Sequence, residues 1–292
     1  MHRLSVALPD SALSDEQTKR EKTVKIGQFA RSCSIFRVNR IYIYHDSLSR
    51  FDASDAKLMS TVLRYLDTPQ YLRKRLFPRI SELEYAGILH PIKAPHHKPA
   101  QTLKEIRRGD VRSGVLVEEK GTLFVDVGLG TLLPFKGQGR DGQKVDVVFV
   151  SEYPRLNVRQ AQSHEIKDYW GFDVQEQPSL TSLLSAERTS LVLLTSRKGP
   201  FYTKLLTQIE QRLREIESVL LVFGSPKYGI QEILARENLR GADRARTTDD
   251  HITVNMFPNQ ATETIRLEEA VLGTLAILNL SINRATFAEK FV

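Results

Sequence analysis

The chain has 292 residues, 41% of them hydrophobic, with a formal net charge of +7 and a pI near 9.4. That length allows one large domain or two modest ones, and no apolar run reaches the ~18 residues of a membrane-spanning helix. The single cysteine, Cys33, excludes an internal disulfide and a cysteine-held zinc; with an N-terminus free of an apolar signal core, it predicts a reducing, cytoplasmic setting. The basic excess permits a nucleic-acid partner without requiring one.

In chain order, residues 24–93 mix strand and helix signals. The alternation of Ile35, Val38, Ile41 and Ile43 predicts a strand with an irregular start over 34–46. "ASDAKLMSTVLRYLDTP" predicts a helix stopped by Pro69, and "QYLRKRLFP" a short basic amphipathic helix stopped by Pro78. A Pro-rich connector, "PIKAPHHKPAQ" (91–101), follows; His96 and His97 within it lack spaced acidic partners and read as a loop pair, not a metal site. The pattern then turns all-β. "VRSGVLVEEKGTLFVDVG" predicts a hairpin turning near Lys120-Gly121, and "TLLPF" and "KVDVVFV" predict further strands. Short strands with Gly turns over ~60 residues predict a small antiparallel barrel of OB-like size, ending near 154.

From about residue 180 the α/β pattern returns. "TSLVLLT", "SVLLVFG" and "HITVNMF" read as buried strands. "YTKLLTQIEQRLREIE", "IQEILARENL" and a last helix over 262–280 lie between and after them. Strands alternating with helices predict a mostly parallel sheet. The expected organisation is an α/β domain in two parts, 1–94 and 155–292, interrupted by a β-barrel insertion at 95–154.

"GQGRDG" (137–142) fits G-x-G-x-x-G, but a dinucleotide fingerprint needs a strand before it and a helix after it. A strand follows here, so these are barrel-loop glycines. Three other loops each follow a buried strand and precede a helix: "TSRKGP" (195–200), "GSPKYG" (224–229) and "FPNQATET" (257–264). In a parallel sheet these are carboxyl-end loops, where ligands bind. Asn259, Thr262 or Thr264 also suit plain capping of the last helix. That helix has Leu267, Val271, Leu275 and Leu278 in one stripe, with Ile265, Leu272, Ala276 and Ile277 on neighbouring faces. A helix apolar nearly all round is expected to be buried by its own domain or by a partner. Glu263, Glu268 and Glu269 near its start suit the helix dipole. No G-x-S-x-G, H-E-x-x-H or P-loop signature is present. Basic residues cluster at Arg73, Lys74 and Arg75, at Lys104, Arg107 and Arg108, and at Arg236, Arg240, Arg244 and Arg246. Clusters around a small barrel point to RNA, although each alone reads as a solvated face.

"LLVFGSPKYGIQEIL" and "NMFPNQATETIRLEEAVLGTLAILN" resemble the knotted SPOUT-class RNA methyltransferases, in the archaeal and eukaryotic branch that carries an OB-like insertion. "LSVALPDSALSDEQTKREKTVKIGQFARSCSIFRVNRIYIYHD" and "YLDTPQYLRKRLFPRISELEYAGILHPIKAPHH" are similar to that branch too, so the resemblance covers nearly the whole chain. It implies a SPOUT-type sheet whose last loops form a trefoil knot around S-adenosylmethionine, with no metal. The implied cofactor contacts are Thr195 and Ser196; Gly224, Ser225, Pro226 and Gly229; and Met256, Phe257, Pro258, Asn259, Gln260, Thr262 and Thr264. It further implies a homodimer through the last helix, an archaeal type lacking the basic N-terminal extension of human members, and methylation of uridine N3 in large-subunit ribosomal RNA. Removing that imino proton calls for a base or an anion-stabilising group, and Glu263 and Arg266 stand nearest the pocket in sequence. RNA contacts are expected from Arg73, Lys74, Arg75, Lys104, Arg107 and Arg108. A ribose 2′-O or other base target, or a scaffold without catalysis, are the competing expectations.

Overall fold

The computed structural model describes residues 2–98, 102–187, 189–239 and 251–288. They divide into two compact units: Met1–Arg64, Glu82–His90 and Phe172–Val292 in the first, Tyr65–Ser81 and Pro91–Gly171 in the second. Arg240, Arg244 and Arg246 of the third basic cluster lie outside the described residues.

The first unit is built on six strands: β1 (Arg3–Pro9), β2 (Val38–Tyr44), β8 (Asp173–Gln177), β9 (Leu191–Thr195), β10 (Ser218–Val222) and β11 (His251–Val254). They form one sheet in the order β11-β9-β10-β1-β2-β8, and every pairing is parallel. Val6, Leu8, Ile41, Leu193 and Leu220 are wholly buried, as expected for strands covered on both faces. Helices α4 (Leu180–Ala186) and α6 (Ile230–Leu239) bury Leu180, Leu183, Ile230 and Ile233 against Ala7, Tyr42, Val192 and Val222. Helix α7 (Leu267–Ala288) packs against α1 (Lys19–Ile35) and α5 (Tyr202–Glu215). α1 starts at a capping box, with Glu21 N–H donating to Thr18 Oγ1 (3.2 Å) and Thr18 N–H to Glu21 Oε2 (2.9 Å).

Three expectations change at the element level. Ser34 and Ile35 form the last turn of α1 instead of starting β2; Arg37, at φ 58°, ends the helix and Ile35 stays exposed. α7 begins at Leu267, not 262, because the Arg266 amide is capped by Glu269 Oε2 (2.9 Å). Asn259, Thr262 and Thr264 therefore cap nothing and belong to a loop. Strands β1 and β8 and helices α1 and α4 were not anticipated.

The second unit contains α3 (Gln70–Leu76) and strands β3 (Val111–Glu119), β4 (Thr122–Asp126), β5 (Leu132–Pro134), β6 (Lys144–Phe149) and β7 (Val158–Gln160). α2 (Ala53–Asp67) runs into it from the first unit. The sheet is antiparallel in the order β5-β4-β3-β6-β7, and a parallel bridge between Phe135 and Val158 joins its two edges. The sheet therefore curls closed around Ile106, Val115, Val125, Val127, Val147 and Phe149, all wholly buried. The hairpin turns at Lys120 (φ 51°) and Gly121 (φ 77°), the double left-handed geometry that matches strand twist. The "GQGRDG" stretch is coil between β5 and β6. The closing strand β7 lies past residue 154, and the unit takes in residues 65–81, so it is wider than the span 95–154 read from the sequence.

Candidate functional site

The carboxyl ends of β9, β10 and β11 are tied together by their own polar groups. Thr195 Oγ1 donates to Val222 O (2.9 Å), linking the ends of β9 and β10. Ser196 N–H donates to Val254 O (2.9 Å), linking β9 to β11. Asn255, 6% exposed, laces the chain after β11 to the loop after β9. Its amide N–H donates to Pro200 O (2.8 Å), its Nδ2 to Arg197 O (2.9 Å), and its carbonyl accepts from Tyr202 N–H (2.9 Å). Its Oδ1 accepts from Phe257 N–H (2.9 Å), which turns the chain away from the strand. Further along, Arg197 Nη1 donates to Glu263 O, and Gln260 Nε2 donates to Thr262 O (3.0 Å).

The "GSPKYG" loop folds back on itself. Ser225 N–H donates to Tyr228 O (2.9 Å), and Tyr228 N–H to Ser225 Oγ (2.9 Å). A Cβ on Gly224 would stand 2.8 Å from Tyr228 O, so the glycine is required by the loop's own backbone. Gly229 N–H is already taken by Glu232 Oε2 (3.0 Å), which caps the start of α6. This amide is therefore spent inside the protein and is not open to a ligand.

These loops enclose a cleft of about 380 Å³. Thr195 and Ser196 line it from the first loop, and Gly224, Ser225, Pro226 and Gly229 from the second. Met256, Phe257, Gln260, Glu263 and Thr264 line it from the third. Pro258, Asn259 and Thr262 are exposed and stand outside the lining; Asn259, at φ 58°, makes the turn. Arg266 is outside it as well, with Nη1 3.6 Å from Glu16 Oε1 and 3.4 Å from Glu268 Oε1. Sequence reasoning missed much of the cleft. Phe223, Ile265, Leu267 and Ala270 add an apolar wall, while Arg197, Lys198 and Lys227 add positive charge, alongside Glu232. Thr274 is the most telling omission. Its hydroxyl is wholly buried, lies on the lining and has no hydrogen-bond partner among the described residues. Buried hydroxyls are ordinarily satisfied, so an orphan on a cleft wall calls for a partner that the protein itself does not supply, a ligand atom or a water. An apolar cleft with a few convergent polar groups is the usual form of a small-molecule site.

The expected RNA-contacting residues all fall in the second unit. Lys74, Arg75, Lys104, Arg107 and Arg108 are exposed. Arg73 is turned inward: its Nε donates to Thr68 O (2.9 Å) and its guanidinium lies 4.4 Å from the Tyr65 ring centroid. Arg75 Nε donates to Asp126 Oδ2 (3.1 Å). Lys104 Nζ stands 5.8 Å from the ring of Tyr153, itself 48% exposed, so a cation and an open aromatic face occur together. Among the described residues, no cluster of His, Cys, Asp or Glu suits a metal ion, and no helix is long and apolar enough to cross a membrane.

Comparison with known proteins gives this geometry a family. Residues 3–278 match the family model described as "Putative RNA methyltransferase". A protein of Drosophila melanogaster named 28S rRNA (uridine-N(3))-methyltransferase is 28% identical over 94% of this chain, which spans 61% of that protein's length. The human protein of the same name is 28% identical over 97% of this chain and 80% of its own. An uncharacterised protein of Haloarcula marismortui is 30% identical over 95% of this chain and 99% of its own. With the family model covering all but the ends of the sequence, the chain belongs to this family of RNA methyltransferases.

Proposed function

We propose that the chain methylates N3 of a uridine in ribosomal RNA, with S-adenosylmethionine held in the cleft at the ends of β9, β10 and β11. The observation that carries this reading is the Thr274 hydroxyl, buried on the cleft wall without a partner. The names of the Drosophila and human relatives support the target. When bound, the cofactor supplies a sulfonium methyl group to a nucleophilic atom of the RNA. Phe223, Met256, Ile265 and Ala270 offer apolar surface for its flat base, and Thr274 and Gln260 offer polar atoms for its ribose and amino-acid ends. Glu263, on the lining, takes the role of accepting the imino proton of the target base. Arg266, held by Glu16 and Glu268, is assigned to fixing the start of α7 instead of to the chemistry.

The lacing of residues 255–263 over the loop 196–201 supports a trefoil knot of the SPOUT type at this site. In the second unit, the strand order with its Phe135–Val158 closure supports an OB-type barrel, and its exposed basic residues with Tyr153 suit single-stranded RNA. The test is calorimetry with S-adenosylmethionine. The unmodified protein is expected to bind, and Thr274→Val to bind about five- to tenfold more weakly, the worth of one hydrogen bond. Because Val removes an unsatisfied hydroxyl, the same variant is expected to melt no lower than its parent. Equal affinity in the two proteins defeats this placement of the cofactor.

A further inference from the structure

The sheet carries a second cleft, of about 490 Å³, at the carboxyl ends of β1, β2 and β8. Asp10, Ile43, His45, Phe51, Glu176 and Pro178 are on its lining. The first cleft opens off β10, and β1 alone separates β10 from β2. With neighbouring strands ~4.8 Å apart, the two strand ends are roughly 10 Å from each other. Tyr44 OH, at the end of β2, donates to Phe223 O (2.6 Å), the residue that follows β10 and lines the first cleft.

The chemistry of the second cleft is specific. Asp10 is buried, and its two carboxylate oxygens are both engaged. Oδ1 accepts from Asp46 N–H (2.9 Å), and Oδ2 stands 2.7 Å from His45 Nδ1. Asp46 is held in turn by the hydroxyls of Ser11 and Ser49, each 2.6 Å from its Oδ2. A carboxylate only accepts, so it fixes the His45 proton on Nδ1 and leaves Nε2 as an acceptor in the neutral ring. Nε2 has no hydrogen bond among the described residues. Beside it Phe51 packs at 5.4 Å, edge to face, yet remains 57% exposed on the coil between β2 and α2. A rigidly held acceptor next to an open aromatic face matches a flat ligand with an N–H edge.

We infer that this second cleft binds an unpaired nucleobase of the substrate RNA flanking the methylated one, stacked on Phe51 with an N–H of its edge donated to His45 Nε2. The inference rests on the RNA methyltransferase reading above. Phe51 and His45 act here as positioning residues, setting which strand segment lies beside the methyl donor. Aromatic stacking tolerates any base, and every RNA base carries an N–H on its Watson–Crick edge, so this site orients a base without selecting its identity.

The probe is a uridine pentanucleotide, with binding read by fluorescence anisotropy and S-adenosylmethionine affinity read in parallel by calorimetry. Phe51→Ala, which removes an exposed ring without opening the core, is expected to weaken pentanucleotide binding about tenfold or more. His45→Gln is expected to weaken it by a smaller factor, and cofactor affinity is expected to stay within twofold in both. A 5-bromouridine version of the probe is expected to photocrosslink to the tryptic peptide 51–57. Unchanged pentanucleotide affinity in both variants, with cofactor binding intact, overturns the second site and leaves the proposed function standing. Failure of the unmodified protein to bind S-adenosylmethionine overturns the function and this inference with it.

Discussion

At the scale of single residues, the second unit contains a buried polar cluster whose protonation sets its stability. His96 Nε2 and His97 Nε2 both donate to the Asp67 carbonyl, at 2.7 and 2.9 Å, while Lys144 Nζ reaches Asp67 Oδ2 at 2.9 Å. Burial, then the charge of His96, pushes the His97 pKa down to about 4. Burial alone would raise Asp67, but the hydrogen bond from His96 and the charge of Lys144 outweigh it and hold its carboxyl below the usual range. The folded state thus binds fewer protons than the unfolded chain at both groups, so stability falls as pH falls. For His97 the loss spans the ordinary histidine value of ~6.5 down to about 4, and amounts to about 2–3 kcal/mol after allowance for its partial exposure. Asp67 adds a further loss below the ordinary carboxylate range. Trp170, the chain's one tryptophan, donates to Asp146 Oδ1 (2.8 Å) in this unit and reports its unfolding by fluorescence. Denaturant midpoints are expected to drop between pH 6.5 and 4, and His97→Gln to flatten that slope; equal slopes refute the role of His97. The pair read from the sequence as a plain loop is therefore a structural lock, and nothing in its spacing announced that, because its partner is a backbone carbonyl about thirty residues away. Thr274 and Asn255 were illegible for the same reason. Inside an apolar helix or at a strand end each reads as core, and only the tertiary lack or supply of partners gives them meaning.

At the scale of elements, hydrophobic periodicity served the long pieces and failed the short edges. Buried strands such as β9 and β10 announce themselves as continuous apolar runs. β8, with sequence DVQEQ, pairs on one side only and reads as loop, and β7 has three residues. The boundary of α7 was misjudged because Thr262 and Glu263 fit a helix start, whereas Thr262 lies in an exposed loop, Glu263 lines the cleft, and the helix is capped from Glu269. Within α7, Gly273 couples the helix to the cleft. A Cβ there would stand 2.5 Å from Cε1 and 2.6 Å from Cζ of Phe257, whose ring lines the site. Alanine in a helix interior ordinarily gains about 1 kcal/mol over glycine. Gly273→Ala is expected to forfeit that gain, because the ring must leave its seat, and to lower S-adenosylmethionine affinity about tenfold. A melting temperature raised by the full propensity gain, with unchanged affinity in calorimetry, shows that Phe257 is free to swing and sinks the coupling.

At the scale of the whole molecule, the alternation of strands and helices on either side of an all-β stretch was enough to read a parallel α/β unit and a separate β unit. It did not reveal that α3 joins the β unit, since an amphipathic helix does not name the sheet it will cover; here Tyr71 OH donates to Ser113 O of β3 (2.9 Å). The sequence also led us to expect a last helix buried on every side. Val271, Leu275 and Leu278 are indeed wholly buried within the first unit, but Leu272 is 44% and Leu280 61% exposed. These two leucines, about two turns apart, form apolar surface that the single chain leaves uncovered. The homodimer that the sequence resemblance implies would cover them, in a twofold arrangement in which the same helix face meets itself. Leu272→Lys is the discriminating variant. Exposure of Leu272 in the single chain means the substitution costs the monomer little, whereas at a closed apolar interface it buries an unpaired charge, worth roughly 3–5 kcal/mol. Ile277 is half-buried, so Ile277→Lys would confound dissociation with unfolding. Light scattering of the unmodified protein at micromolar concentration is expected to give about 66 kDa, twice the 33.2 kDa of one chain, and Leu272→Lys to give a folded 33.2 kDa species. An unmodified protein that stays at 33.2 kDa throughout that range and still methylates RNA defeats the dimer, and the exposed leucines of α7 then need another partner.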